Sequence, residues 1–101
     1  MHIFGHDVAI LEAERDHEGM NTELVRAINE RRLIEFVYKG GRPRIAEPHD
    51  YGIRRGNPHG WKDFDVVDMS QLRVLDRTFP GARGDRNQKS LKWDKLFARV
   101  K

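Results

Sequence analysis

Apolar and polar positions recur along this chain with two different periods, and the changes of period divide it into elements. Near the start, Val8, Ile10 and Leu11 follow Asp7, a residue able to cap a helix, and Gly19 supplies a stop; this predicts a short helix from Asp7 to about His17. The next segment, TELVRAINERR, is better defined: Asn21 or Thr22 caps it, and Leu24, Ala27 and Ile28 share one face while Arg26, Asn29 and Glu30 lie elsewhere. At LIEFVY, residues 33–38, the period becomes that of a strand, with branched and aromatic residues on both sides. Lys39-Gly40-Gly41 offers the positive-φ residues of a tight hairpin, and RPRIAEP returns as a second strand in which Pro43, lacking a donor, sits at an edge or at the strand's start.

HDYGIRR reads as a third strand, Gly56 to Gly60 as a turn, WKDFDVVDM as a fourth strand and QLRVLD as a fifth. Five short strands joined tightly after one helix predict an α+β domain: a small, strongly bent antiparallel β-barrel, partly open, packed on an N-terminal helix. The stretch FPGARGDRNQKS is loop-like, and Ser90 can cap a closing C-terminal helix, LKWDKLFARV, with Trp93, Leu96, Phe97 and Val100 spaced for one face. The chain divides into an acidic arm or short helix (1–20), the barrel (21–79) and a basic loop with its helix (80–101).

Composition narrows the class. The chain has 101 residues, 38% of them apolar and 35% charged, which suits one small core beneath a crowded polar surface. It contains no cysteine, so disulfides and thiolate metal sites are excluded. No apolar run approaches the roughly 18 residues of a membrane span, and no signal-peptide pattern opens the chain; a cytoplasmic protein without membrane contact is expected. The net charge of +3 conceals an asymmetry: residues 1–20 carry −4, 21–76 carry +1 and 77–101 carry +6. The basic tail either attracts a polyanion or lies against the acidic start of the same chain.

Several clusters bear on chemistry. Arg42, Arg44, Arg54 and Arg55, interleaved with Tyr38, Tyr51 and Trp61, combine guanidinium groups that neutralise phosphates with rings that stack on bases. The same residues also serve as core, rim and solubilising surface. Arg77, Arg83, Arg86, Lys89 and Lys92 form a second basic group around a glycine-containing loop. Asp63, Asp65 and Asp68 with His59 have the residue types of a divalent-cation site, although the solvent side of a half-buried strand has the same spacing. His49 and Asp50, as strand neighbours, point to opposite sides and do not form an acid-base pair. Glu47, before Pro48, can anchor an ion pair with Arg44 or Arg31. There is no phosphate-binding glycine loop, activated-serine elbow or paired metal-ligand motif, so a non-enzymatic chain with no cofactor is expected.

The order of these pieces carries a resemblance. LVRAINERR, LIEFVY, the glycine hairpin, the basic strand ending AEPHDYGI and then GWKDFDVVDMSQLRVLD together resemble the WYL domain in its short stand-alone bacterial form, over about residues 22 to 79. The resemblance implies an Sm-like or SH3-like barrel and a ligand-sensing role; in some WYL proteins the ligand is single-stranded nucleic acid or a nucleotide. It adds Lys62 to the binding set, beside Phe64. The domain usually accompanies a helix-turn-helix in transcription regulators, and without one the module needs a partner or a DNA-facing surface of its own. Two departures stand out. The family's Trp-Tyr-Leu strand is missing between Arg55 and Gly60, which leaves an open edge and predicts a homodimer paired through it. Asp65 and Asp68 replace basic residues common in the family, which opposes phosphate at that strand. The leading expectation is thus a regulatory module binding nucleic acid or a nucleotide through Tyr38, Arg42, Arg44, Tyr51, Arg54, Arg55, Trp61 and Lys62. The rivals are an assembly module using the open edge and the C-terminal helix, and a metal-dependent nuclease using Asp63 and Asp65.

Overall fold

The computed structural model describes residues 7–13, 20–54, 62–81 and 93–101, without the side chains of 7, 54, 62 and 63. In chain order its elements are β1 (Asp7–Glu12), α1 (Thr22–Asn29), β2 (Arg32–Tyr38), β3 (Pro43–Arg54), β4 (Lys62–Asp65), a 3-10 turn (Val66–Asp68), β5 (Met69–Thr78) and β6 (Trp93–Arg99). The strands form one mixed sheet in the order β4-β1-β3-β2-β5, and β6 pairs with β3 off this path.

α1 and the hairpin form where the local pattern places them. The Asn21 side chain accepts the backbone N–H groups of Glu23 and Leu24, satisfying donors that an uncapped helix leaves open. Leu24, Ala27 and Ile28 are the residues α1 buries, and each large one contributes about 1.5–3 kcal/mol on leaving water. The helix ends as Arg31 turns to φ 54°, its N–H donating to the Ile28 carbonyl. An L residue in that left-handed conformation costs about 1–2 kcal/mol, which is why glycine usually stands there. In the β2–β3 hairpin, Lys39 and Gly40 both have positive φ and Gly41 N–H donates to the Tyr38 carbonyl, the geometry that suits the twist of paired strands.

Four expectations are corrected. The segment starting at Asp7 is a strand, not a helix: Ala9, Ile10 and Leu11 are all fully buried, because β1 runs parallel between β3 and β4. A short apolar run covered on both faces reads the same in either conformation, and only the neighbours decide. The remainder of that predicted helix, residues 14–17, lies outside the described residues. The C-terminal helix is likewise a strand: β6 pairs antiparallel with β3 from Asp50 to Arg54. Ala98 and Val100 are buried at alternate positions, a period-2 pattern that coexists with the helical spacing of Trp93, Leu96, Phe97 and Val100.

The partly open antiparallel barrel is also overturned. β1 is parallel to both of its partners, which makes the sheet mixed, and no ladder joins β4 to β5 among the described residues, so the sheet remains open. It nevertheless curls strongly. Phe64 on β4 packs edge-on against Phe36 on β2, with ring centroids 5.1 Å apart.

β3 organises this sheet as one 12-residue strand where two strands broken at Pro48 were predicted. On one edge it pairs with β2 over 43–46 and then with β6 over 50–54, and Glu47, Pro48 and His49 span the change of partner. On the other edge the register with β1 shifts beside Pro48. The missing proline donor thus falls where the ladder is already interrupted. Glu47, His49 and Asp50 are buried here. His49 Nδ1–H donates to the Glu47 carbonyl (3.0 Å), its ring stacks on Phe79 (5.4 Å), and its carbonyl accepts from Val100 N–H. Arg99 Nε donates to Asp50 Oδ1 at 3.3 Å.

Candidate nucleic-acid interface

The predicted binding residues separate. Tyr38, Arg42 and Arg44 come together at the hairpin end, whereas Arg54 closes the opposite end of β3. Tyr51 is fully buried, and its hydroxyl accepts the Asn21 N–H (2.8 Å), tying the start of α1 to the sheet. No ligand reaches it in this arrangement. Arg55, Trp61 and the side chains of Arg54 and Lys62 lie outside the described residues, as do His59, the Asp63 side chain and the tail cations Arg83, Arg86, Lys89 and Lys92.

What remains at the hairpin end is a cluster of rings carrying cations. Phe36, Tyr38 and Phe64 pack edge to face in all three pairings, at 5.1 to 6.4 Å for the two Phe36 contacts and 4.9 Å for Tyr38 with Phe64. Each ring's positive edge meets another's negative face, and such pairs contribute about 0.5–1.5 kcal/mol beyond area burial. The Arg44 guanidinium lies 5.3 Å from the Phe64 centroid and the Lys39 ammonium 5.4 Å from that of Tyr38. Sequence register explains Arg44, which stands opposite Phe36 across the β2–β3 ladder. Arg42 is exposed at the mouth of the hairpin.

Backbone hydrogen bonds hold the cluster. Lys39 N–H donates to the Asp68 carbonyl (2.9 Å), and Asp65 N–H donates to the Tyr38 hydroxyl (3.0 Å). The hairpin is therefore fastened to the 3-10 turn, and the phenol oxygen is already engaged. Asp65 is exposed and Asp68 half-buried, so Lys39, Arg42 and Arg44 have two carboxylates on the adjoining segment. Glu35, in register with Arg73, is paired with it at 3.2 Å. Among the described residues, the balance of charge at this end is weakly positive.

Among the described residues, no group of three or more His, Asp or Glu side chains is arranged to hold a metal ion, and no helix is long and apolar enough to cross a membrane. Sequence reasoning gave Asn29 and Lys101 no binding role, and it considered Arg31 only as a partner for Glu47. Arg99, which holds buried Asp50, escaped notice because its partner is distant in sequence. No protein-family model, no curated protein and no solved structure matches the chain.

Proposed function

We propose that the protein is a non-enzymatic regulatory module that binds single-stranded nucleic acid or a nucleotide at the hairpin end. The observation that carries this is the seating of Arg44 and Lys39 on rings that are themselves locked edge to face, with Arg42 exposed beside them. Cations held in place by packing meet a phosphate chain with less rotamer entropy to lose than free surface lysines. The resemblance of residues 22–79 to WYL domains supports a sensing role. Asp65 and Asp68 limit affinity, so binding is salt-sensitive and strongest at low ionic strength.

The assembly reading is weaker. Its docking helix is β6, and β5, one edge of the main path, carries register shifts at two places and a positive φ at Gln71. Such bulges disrupt the straight ladder that a second copy would need.

Titration of labelled single-stranded oligonucleotides across a range of salt tests the proposal. Lys39→Gln and Arg42→Gln remove exposed charges, and each is expected to lower the slope of log K against log salt by about 0.7. Absence of binding at low salt, or an unchanged slope in the double variant, rejects it.

A further inference from the structure

At the other end of β2, where α1 meets the C-terminal strand, lies a cavity of about 360 Å³ lined by Ile28, Asn29, Arg31, Arg99 and Lys101. Ligand pockets begin at about 300 Å³, so this one suits a small ligand or one terminal group of a larger one. Its lining brings three cations and an amide around a single apolar side chain.

The charges nearby leave that lining positive. Asp50 is fully buried and paired with Arg99 through Nε, which leaves the two terminal nitrogens of the Arg99 fork outside that bond. Glu30 and Asp76 are both held by Arg32, at 3.1 and 2.7 Å. The lining side chains include three cations and no carboxylate, and buried Asp50 together with the negative end of α1, worth about half a charge, offsets only part of that excess. An excess of this size favours a dianion over a single carboxylate.

Arg31 gives the second, independent observation. It occupies a left-handed position that glycine would fill without strain, and its stem passes 3.5 Å from the Cβ that a side chain at Gly81 would carry. That same Cβ would lie 2.7 Å from the Lys101 carbonyl oxygen. Gly81 thereby lets Arg31 and Lys101 converge on the cavity. Non-glycine residues held in the left-handed region recur at ligand-binding sites, and here the strained residue is one that lines the cavity.

We infer that this cavity binds a phosphate monoester, with Arg31 and Lys101 contacting the dianion, the Arg99 fork oriented by Asp50, and Asn29 donating an amide hydrogen bond. The group belongs either to a small phosphorylated metabolite or to the 5′ end of a nucleic-acid strand. The site is separate from the hairpin cluster and stands without it.

The test is titration of the full chain at low salt, followed by calorimetry or amide chemical shifts, with four probes: inorganic phosphate, a sugar phosphate, a 5′-phosphorylated trinucleotide and its 5′-hydroxyl counterpart. Arg31→Gly is the informative variant, because glycine accepts the left-handed conformation and keeps Tm unchanged or raised. It is expected to weaken phosphate binding about tenfold, the effect of losing a charge-assisted contact. Lys101→Gln should do likewise, and Lys95→Gln, which removes an exposed cation of β6 that lines neither basic site, should leave phosphate binding intact. Preference for the sugar phosphate assigns a metabolite; preference for the phosphorylated trinucleotide over its hydroxyl counterpart assigns a strand end. No saturable binding of any phosphate probe, or equal binding by Arg31→Gly, overturns the inference.

Discussion

Gly52→Ala tests the claim that β3 holds the sheet together by pairing with β6. A Cβ at Gly52 would run into the Lys95 carbonyl oxygen, and it would stand 3.0 Å from both Leu96 Cα and the Trp93 ring. Real Cβ atoms essentially never come so close to backbone. β3 cannot retreat, because the Gly52 carbonyl accepts Ala13 N–H at 2.8 Å on its other edge and Glu12 lies in register there. β6 must therefore move. Overpacking costs about 1–3 kcal/mol, and two weakened ladder bonds add about 1 kcal/mol each, giving roughly 3–5 kcal/mol. A chain of this size has about 5–15 kcal/mol in all, so the expected fall in Tm is at least about 12 °C. Gly40→Ala is the control: φ there is +72° but no atom lies within 4 Å, so only the conformational cost of about 1–2 kcal/mol remains. Thermal melts followed by circular dichroism, with hydrogen exchange at Leu96 and Ala98, measure both. If Gly52→Ala melts no lower than Gly40→Ala, the account of the β3–β6 contact is wrong.

Asn21→Ala, which removes the side-chain cap of α1, should cost about 1 kcal/mol. Tyr51→Phe, which deprives Asn21 N–H of its acceptor, should cost a similar amount, about 0.5–1.5 kcal/mol, and leave oligonucleotide binding unchanged; urea unfolding and the salt titration read the two effects. Arg99→Leu should destabilise by about 1.5–3 kcal/mol, since it removes a charged donor from buried Asp50. Adding Asp50→Asn should recover part of that loss in a double-mutant cycle, and strict additivity of the two changes would refute the pairing.

The parts of this fold legible in the sequence are those whose cause is local. α1 declares itself through Asn21 and the spacing of Leu24, Ala27 and Ile28, and the hairpin through Lys39-Gly40-Gly41. β1 and β6 were not legible, because their conformation is imposed by partners far along the chain. VAIL and KLFAR bury residues on a sheet that exists only once β3 has extended, and each of these runs also satisfies a helical template. Pro48 misled for a related reason: its missing donor matters only if the ladder requires one at that position, and the register shift against β1 beside it removes the requirement.

The same division between local and distant causes governs the two basic sites. Tyr38, Arg42 and Arg44 are joined by one hairpin, so sequence alone could place them together, and the rings of Phe36 and Phe64 supply the platform. Arg54 was grouped with them because it lies nearby in the sequence, yet a 12-residue extended strand carries it to the far end of β3. Arg31 and Lys101 are remote in sequence and meet only because β6 runs back along β3 toward His49 while Phe79 N–H donates to the Arg31 carbonyl. The long β3 strand thus has two opposite effects: it separates cations that sequence groups together and, through β6, joins cations that sequence keeps apart. The charge density presented to a ligand consequently depends on β3 pairing with β6 as much as on the number of arginines.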